Sequence, residues 1–445
     1  MRLANILIIL YKIFFVGLLL QFFLFNTTTY GLDLWLPNRV WLWKEGIVGI
    51  LLIGSLIRTA FHKGRRAFLF PPSFVYLQWA LFALAGLMIW IDLGIYQQSL
   101  GTLFTAIKYD ILGFIIFFVA LHSSEILDAT QKQHLMRWYL KAIKYMLLLA
   151  IIWYLLILIK PGTLKLFGYD NFIFEWVVGK NPPAVYYNHI NQGIVRNQFL
   201  FERPISWGFF LTAFWPLFFF MCLYKQPLRY TWVWWSLYML NVFLTFSRAA
   251  RGAIIIQCVL IGLLIYWHQK RKFFMTMIVP WILAILALLY GGMTGLLQRG
   301  FSDKGHLAML TQSREMIQTS PWIGLGGTSA GPGSHHGWTA FNPENQFLQI
   351  WLEYGIGGML LRLCIFVGLI VIGRNLWKKD RFVFVSDSHT AWIWLCLWLV
   401  GLGISGLVLH SFSDRMIVYP FMLMGWILAS LAFHQTKTWK TSKSN

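Results

Sequence analysis

Long apolar runs separated by polar connections constrain this chain more than any other feature of its sequence. An α-helix rises about 1.5 Å per residue, so about 20 apolar residues cross a hydrocarbon core of about 30 Å. Runs near this length occupy residues 6–25, 45–60, 70–91, 101–121, 138–159, 205–224, 231–247, 252–268, 273–292, 356–373, 389–409 and 416–433. Charged residues make up only 12% of the chain, against about 25% in a soluble domain. The sequence therefore predicts an all-α, polytopic membrane protein with about twelve transmembrane helices.

The charge distribution predicts the orientation of these helices. The net charge is +21, but the basic residues fall between apolar runs instead of forming one stripe, so nucleic acid is not a predicted partner. Alternate connections carry Lys63, Arg65 and Arg66; Lys132 and Arg137; Lys225 and Arg229; Lys270, Arg271 and Lys272; Arg374, Lys378, Lys379 and Arg381; Lys437, Lys440 and Lys443. By the positive-inside rule, these connections and both termini are cytoplasmic. The opposite side carries Arg196, Arg203, Arg248, Arg251, Arg299, Arg314 and Arg415. Because that rule does not explain external arginines, an anionic ligand is one explanation for them.

Two predicted external loops exceed the usual connection length of about 2–6 residues. They span residues 160–204 and 294–355 within a single transmembrane domain, 1–435, and a polar tail, 436–445, is predicted to be disordered and cytoplasmic. The larger loop contains a predicted surface helix at 306–319 and a second helix at 344–354 that leads to a glycine bend. Long loops of this kind usually carry function.

Metal and disulfide chemistry are not indicated. The four cysteines lie in apolar runs without a CxxC spacing, which argues against a disulfide framework or a thiolate site. His335 and His336 are adjacent, but no Asp, Glu or Cys stands at ligand spacing from them. We therefore expect no metal and no cofactor.

Three motifs in a fixed order carry a resemblance to a known family. They are RNQFLFERPISWG (196–208), TFSRAARGA (245–253), and the pair PWIGLGG (321–327) and NPENQFLQIWLEYGIGG (342–358). Together they resemble the O-antigen ligase and O-antigen polymerase superfamily. The last pair is similar to its signature loop, with matches at Pro321, Gly324, Gly326, Asn345, Leu348, Glu353, Gly355 and Gly358.

The resemblance implies a class-C glycosyltransferase fold in the inner (cytoplasmic) membrane with its active site facing the periplasm or cell exterior. It implies an undecaprenyl-diphosphate-linked glycan donor and a glycan or glycolipid acceptor. The transfer to a sugar hydroxyl would be direct and inverting, without a metal. Membrane lipid is a further implied partner, and so is a chain-length regulator in the case of a polymerase. A ligase and a polymerase differ mainly in the acceptor, so the sequence separates them poorly.

Arginines are the candidate ligands of the donor diphosphate, because a guanidinium binds phosphate oxygens bidentately and stays charged. The candidates are Arg196, Arg203, Arg248 and Arg251, with Lys108 in the fourth apolar run. The alternative for the arginines is snorkelling toward lipid headgroups. Lys108 stands two residues before Asp110, and this spacing puts the two on different helix faces. Asp110 should therefore find partners on other spans, and Lys108 belongs either to the phosphate site or to a structural pair.

Glu344 is the candidate general base for the acceptor hydroxyl. The ligase branch typically has His at this position, so Glu344 departs from that pattern and favours a polymerase or an atypical ligase. The alternative is that Glu344 is a helix N-terminal charge favoured by the dipole. His306 could bind phosphate, replace Glu344 as the base, or be idle. Supporting candidates are Asn345, Asp110, Arg314 and Arg415.

Two other classes of membrane protein compete with a glycan transferase. One is a transporter, such as a flippase of lipid-linked saccharides, but transporters often consist of two related halves and no duplication is visible in this sequence. The other is a non-catalytic scaffold, which would not need several external arginines.

Overall fold

A computed structural model describes most of the N-terminal half of the chain and the motif-bearing region. The described residues are 2–26, 43, 46–51, 53, 72–123, 127–160, 167, 188–189, 194–201, 204–219, 228–267, 300–331, 334, 341, 343, 345–379, 401 and 403. The predicted run at 273–292, most of those at 45–60, 389–409 and 416–433, and the tail at 436–445 lie outside them. The figure of about twelve spans therefore stays a prediction.

The described residues fold almost entirely into helices. These are α1 (Arg2–Asn26), α2 (Pro72–Ile89), a π-helical turn (Trp90–Ile95), α3 (Leu100–Asp110), α4 (Leu112–Ser123), α5 (Ala129–Ile159), α6 (Pro204–Phe218), α7 (Leu228–Leu244), α8 (Arg248–Trp267), α9 (Gly300–Thr319) and α10 (Gln346–Lys379). A short antiparallel ladder between β1 (Asn188–His189) and β2 (Ile194–Val195) lies in the predicted loop 160–204. The all-α prediction holds apart from this ladder.

Three of the described helices are long and apolar enough to cross a membrane. Their apolar stretches are Ala4–Gln21 in α1, Thr130–Ile159 in α5 and Gln346–Leu369 in α10. Shorter apolar stretches cover Trp79–Ile95, Pro204–Phe218 and Trp232–Leu244. Large apolar side chains such as Ile9, Ile13 and Ile152 point outward from α1 and α5. Such surfaces suit hydrocarbon instead of water, and the chain is a membrane protein.

The fourth predicted run, 101–121, is broken into two helices. Ser99 caps α3 by accepting a hydrogen bond from the Thr102 amide over 3.2 Å. The helix ends at Asp110, and Ile111, with a φ angle of −115°, separates it from α4 while its amide still bonds the Ile107 carbonyl. Asp110 is therefore the last residue of α3.

Two helix pairs organise the bundle around the motifs. The closest pairing joins α2 to α10, and the next joins α6 to α8. The buried core contains an aromatic cluster. In it, the rings of Trp207 and Phe210, both on α6, stack with centroids 5.3 Å apart. The motifs TFSRAARGA and PWIGLGG therefore each stand beside a tightly packed helix pair.

The predicted surface helix at 306–319 is longer than the sequence suggested. It begins at Gly300 as α9 and ends at Thr319, directly before PWIGLGG. Leu307, Met309 and Leu310 are exposed on it, as expected of a helix whose apolar side faces the membrane interface.

Candidate active site

The segment PWIGLGG and the residues that follow it, 321–331, form what we call the signature loop. Gly324, Gly326 and Gly331 have φ angles of +83°, +86° and +66°, a region that side chains rarely adopt. A Cβ on Gly324 would also lie 2.5 Å from the Glu353 carbonyl oxygen. Glycine is therefore required where the loop meets α10.

A kink in α10 receives this loop. Tyr354 and Gly355 leave helical geometry, with φ angles of −129° and +64°. A kink frees carbonyls that a continuous helix would use internally. The Leu352 and Glu353 carbonyls accept instead from the amides of Leu325 and Gly326, over 2.7 and 2.9 Å.

The same kink also directs the backbone amide of Ile356 toward the signature loop. The Ile356 amide bonds the Pro321 carbonyl over 3.0 Å, and the indole N–H of Trp351 donates to the same carbonyl oxygen over 3.0 Å. Backbone hydrogen bonds thus hold the signature loop against α10.

The π-helical turn after α2 contacts the loop from another helix. The Gly327 amide donates to Oδ1 of Asp92 over 2.6 Å, and the Tyr96 hydroxyl donates to the Gly324 carbonyl over 2.6 Å. Asp92 was not among the sequence candidates. The signal that could have found it was an acidic residue at the end of the third apolar run, because ionisable residues at such depth usually have a function.

A second acidic group lies between α3 and α10. Asp110, Glu353 and Arg362 are all buried, and the two carboxyl groups lie beside each other. The Arg362 guanidinium interacts electrostatically with both carboxyl groups and donates to the backbone carbonyl of Asp110. Asp110 thus finds its partners on another helix, as its spacing from Lys108 predicts, and Gln349 donates to Glu353 over 3.2 Å.

Two arginines of the motifs, Arg196 and Arg251, bond the end of α7. Arg196 donates through Nε to the Thr245 carbonyl over 2.8 Å, and Arg251 donates through Nη2 to the Phe243 carbonyl over 2.7 Å. The Arg251 guanidinium also lies over the rings of Phe243 and Phe246, 4.8 and 5.2 Å from their centroids. Two arginines that are 55 residues apart in the sequence (251 − 196) therefore bind carbonyls of one turn.

Polar contacts fix the segments that carry these arginines. Asn197 donates its side-chain amide to the Ala150 carbonyl over 3.2 Å, and its backbone amide to Leu244 over 2.8 Å. Ser247 caps α8 by accepting from the Ala250 amide over 3.3 Å. The close packing at Gly208 leaves no room for a Cβ, which would lie 2.8 Å from that of Ala250. The arginine segments are thus held rigidly.

Arg248 completes the arginine group. It is the first residue of α8 and is half-buried, one turn from Arg251. A cation at a helix N-terminus is unfavourable for the helix itself, because the dipole is positive there. The helix dipole therefore does not favour an arginine at this position.

A cleft lies between α9, the signature loop and α10. Its volume is about 610 Å³, and it is lined by Leu310, Arg314, Ile317, Gln318, Pro321, Leu348 and Trp351. Arg314 is exposed on α9. The cleft thus brings one predicted supporting residue next to the first turns of α10.

Asn345 has a clear local role. Its Oδ1 accepts from the amides of Phe347 and Leu348, over 2.9 and 3.0 Å, so it caps α10.

Lys108, a predicted ligand of the donor diphosphate, is half-buried on α3.

Several predicted site residues cannot be placed. Glu344, Arg203, Arg415, His335 and His336 lie outside the described residues. His306 belongs to α9, but its side chain is outside the described part. Within that part, no group of three or more His, Cys, Asp or Glu is arranged to hold a metal ion.

Comparison with known families bears directly on these motifs. Residues 232–363 match the family model described as O-antigen ligase. The matched range contains TFSRAARGA, the signature loop and the kink of α10, and it confirms the resemblance carried by the motifs. No curated protein matches the chain.

Proposed function

Because residues 232–363 match the O-antigen ligase family model, we propose that the chain is a membrane glycosyltransferase of the O-antigen ligase and polymerase type. It transfers or polymerises an undecaprenyl-diphosphate-linked glycan onto a sugar acceptor. The reaction takes place on the outer side of the inner membrane, without a metal. The single observation that carries this proposal beyond the family match is the rigid arginine group at the end of α7 and the start of α8.

The arginine group suits a diphosphate better than it suits lipid headgroups. Arg196 and Arg251 are only 4% and 3% exposed, whereas a snorkelling side chain extends outward to the headgroups. Arg248 adds positive charge at a helix N-terminus, where backbone amides also favour anions. The leaving diphosphate gains negative charge in the transition state, so positioned guanidinium groups lower the barrier. Arg203 is proposed to join this group, and Lys108 is proposed to contribute charge from α3.

The acceptor side is proposed to lie at the start of α10. Glu344 directly precedes the cap residue Asn345, so the cap would hold it at a fixed point of the helix. The acceptor hydroxyl oxygen attacks the anomeric carbon while its proton passes to the Glu344 carboxylate. The bond to the diphosphate breaks with its electron pair, and the anomeric configuration inverts. His306 remains the second candidate base.

The cleft lined by Arg314 is proposed to open toward the acceptor. In this arrangement the loops 160–204 and 294–355 are external, and Arg415 would approach from the last external turn. A chain-length regulator is a proposed partner only for the polymerase.

A gene deletion in the native host tests the function. We expect surface glycan to be lost and to return with the wild-type chain. Polymer that accumulates on undecaprenyl diphosphate would indicate a ligase, and single repeats on the acceptor would indicate a polymerase. If lipid-linked glycan accumulates on the cytoplasmic leaflet, protected from an impermeant oxidant, the chain is a flippase and the proposal fails.

Orientation has its own test. In a background without the four native cysteines, a Cys placed in 325–340 should react with an impermeant thiol reagent from outside, and one at Ser444 should not. The reverse pattern would place the signature loop in the cytoplasm and overturn the proposed site.

A further inference from the structure

Asp92 lies in the π-helical turn that extends α2. The residue is fully buried, and a carboxylate is costly to bury unless it is hydrogen-bonded. Its Oδ1 accepts from the Gly327 amide over 2.6 Å, and the Tyr354 hydroxyl lies beside the carboxylate. π-Helical turns of this kind occur frequently at functional sites.

The π-helical turn and Tyr96, the residue directly after it, hold the signature loop at two points. Asp92 binds the amide of Gly327, and Tyr96 binds the carbonyl of Gly324 over 2.6 Å. These two loop residues are three positions apart, so the pair fixes both the position and the direction of the loop. On its other side the loop is bonded to the freed carbonyls of α10.

Gly327 shows how tightly the loop is seated. A Cβ at this position would lie 2.4 Å from the Tyr354 hydroxyl oxygen and 2.6 Å from Oδ2 of Asp92. No side chain fits between the loop backbone and these two groups. The distance between the loop and the π-helical turn is therefore set by the backbone itself.

Two hydrogen bonds, joined by the loop backbone, connect Asp92 to the first segment of α10. Gly327 follows Gly326, whose amide binds the Glu353 carbonyl over 2.9 Å. Glu353 ends the first segment of α10, which begins at Gln346 and is capped by Asn345. A shift of the loop would therefore move this helical segment and the residue that precedes its cap.

We propose that Asp92 is a positioning residue of the transferase: its bond to the Gly327 amide sets where the signature loop holds the first turns of α10, and thereby where the acceptor side of the site lies. This inference rests on the proposed function. Asp92 and its partners belong to the π-helical turn, the signature loop and α10, whereas the proposed donor arginines belong to the segments around α6–α8. Loss of the Asp92 bond should therefore lower turnover and leave donor affinity unchanged.

The test uses the full-length protein purified in detergent, with lipid-linked glycan extracted from the deletion strain as donor. Asp92→Ala should lower kcat about 100-fold, the scale of a misplacement of about 1 Å, while KM for the donor stays within about twofold. Asp92→Asn should recover most of the rate, because its Oδ1 accepts the same bond. Gly327→Ala keeps the carboxylate but pushes the loop away, so it should resemble Asp92→Ala.

Asp128→Ala is the matched control. Asp128 also accepts a bond from a backbone amide, that of Gln131 over 2.7 Å, but at the start of α5. Its loss should leave kcat unchanged. Thermal unfolding of each variant shows whether it is folded. If Asp92→Ala does not fold, the kcat values of Gly327→Ala and Asp92→Asn test whether the bond between Asp92 and Gly327 sets the rate.

Three results would overturn the inference. One is a normal kcat in folded Asp92→Ala or Gly327→Ala. Another is a loss that falls on the donor KM instead of kcat. The third is an Asp92→Asn variant as slow as Asp92→Ala. If the wild-type protein transfers no glycan at all, the proposed function fails and this inference fails with it.

Discussion

The arginine group and the signature loop are held by different kinds of contact. At the end of α7, buried charged side chains from two segments bind carbonyls of one turn through their guanidinium groups. In the signature loop the contacts are mostly backbone to backbone, and glycines let the chain approach α10 and Asp92 closely. Charge defines the first region, and backbone geometry defines the second.

This difference predicts how each region responds to substitutions. A conservative change of charge geometry should weaken the arginine group but leave the fold intact, since Lys keeps the charge and loses only the planar fork. A single added methyl group should disturb the signature loop, because its space is already filled by backbone atoms. The predictions below run from the largest expected effect to the smallest.

Glu344→Gln should have the largest effect if the start of α10 carries the base. Shape and hydrogen-bonding capacity barely change, so fold and donor binding should persist, while turnover falls about 10²–10⁴-fold. The wild-type rate should also fall at low pH as the carboxylate is protonated, and Glu344→His should retain part of the activity. The measurement is initial rate of glycan transfer against pH. Normal transfer by Glu344→Gln would leave His306 as the next base to test.

Gly355→Ala should destabilise the protein strongly. Gly355 has a φ angle of +64°, and a Cβ there would lie 2.0 Å from the Trp322 carbonyl oxygen. Strained backbone of this kind costs about 1–3 kcal/mol, and the clash adds to that cost. The measurement is the thermal unfolding midpoint in detergent.

Gly357→Ala is the control for that change. Among the described residues, its Cβ would meet the Leu87 side chain alone, at 3.6 Å, an ordinary contact, so stability should stay near that of the wild type. Equal midpoints for the two variants would mean that the kink of α10 does not depend on Gly355.

Arg251→Lys should lower activity about 10-fold or more, on the scale of about 1.5–3 kcal/mol for hydrogen bonds to charged groups. Arg248→Lys and Arg203→Lys should behave similarly, because Lys does not reproduce bidentate phosphate geometry. Transfer rates at limiting donor are the measurement. The control is Arg137→Lys, at an exposed position of α5, which should leave the transfer rate unchanged. Full activity in all three arginine variants would overturn the proposed diphosphate role of these residues.

Asn345→Ala should have the smallest effect. Removing a helix cap costs about 1 kcal/mol of stability, and Asn345→Asp should avoid this loss because its carboxylate accepts the same two amides. Thermal unfolding compares the two variants. A loss of transfer far larger than the loss of stability would assign Asn345 a part in the reaction beyond capping.

Local patterns in the sequence predicted much of the fold. The apolar runs at 6–25 and 138–159 correspond to α1 and α5, and the glycine bend after 344–354 is the kink of α10. The spacing of Gly, Pro and Arg in the motifs carried the resemblance that the family-model match over residues 232–363 supports. Asp110 was singled out as a charge inside an apolar run, which is also a local signal.

The partners of these residues required the tertiary structure. Asp92 and Gly327 are 235 positions apart, and Arg362 is 252 positions from Asp110, so no periodicity links them. Apolar helices in lipid have no hydrophobic preference for one neighbour over another, and packing with interhelical hydrogen bonds decides which faces meet. The sequence by itself determined that the chain forms membrane helices with a glycine-rich loop between them. The tertiary structure decided that the loop lies between the π-helical turn and α10, because there the freed carbonyls of α10 and the buried carboxylate of Asp92 accept from its amides.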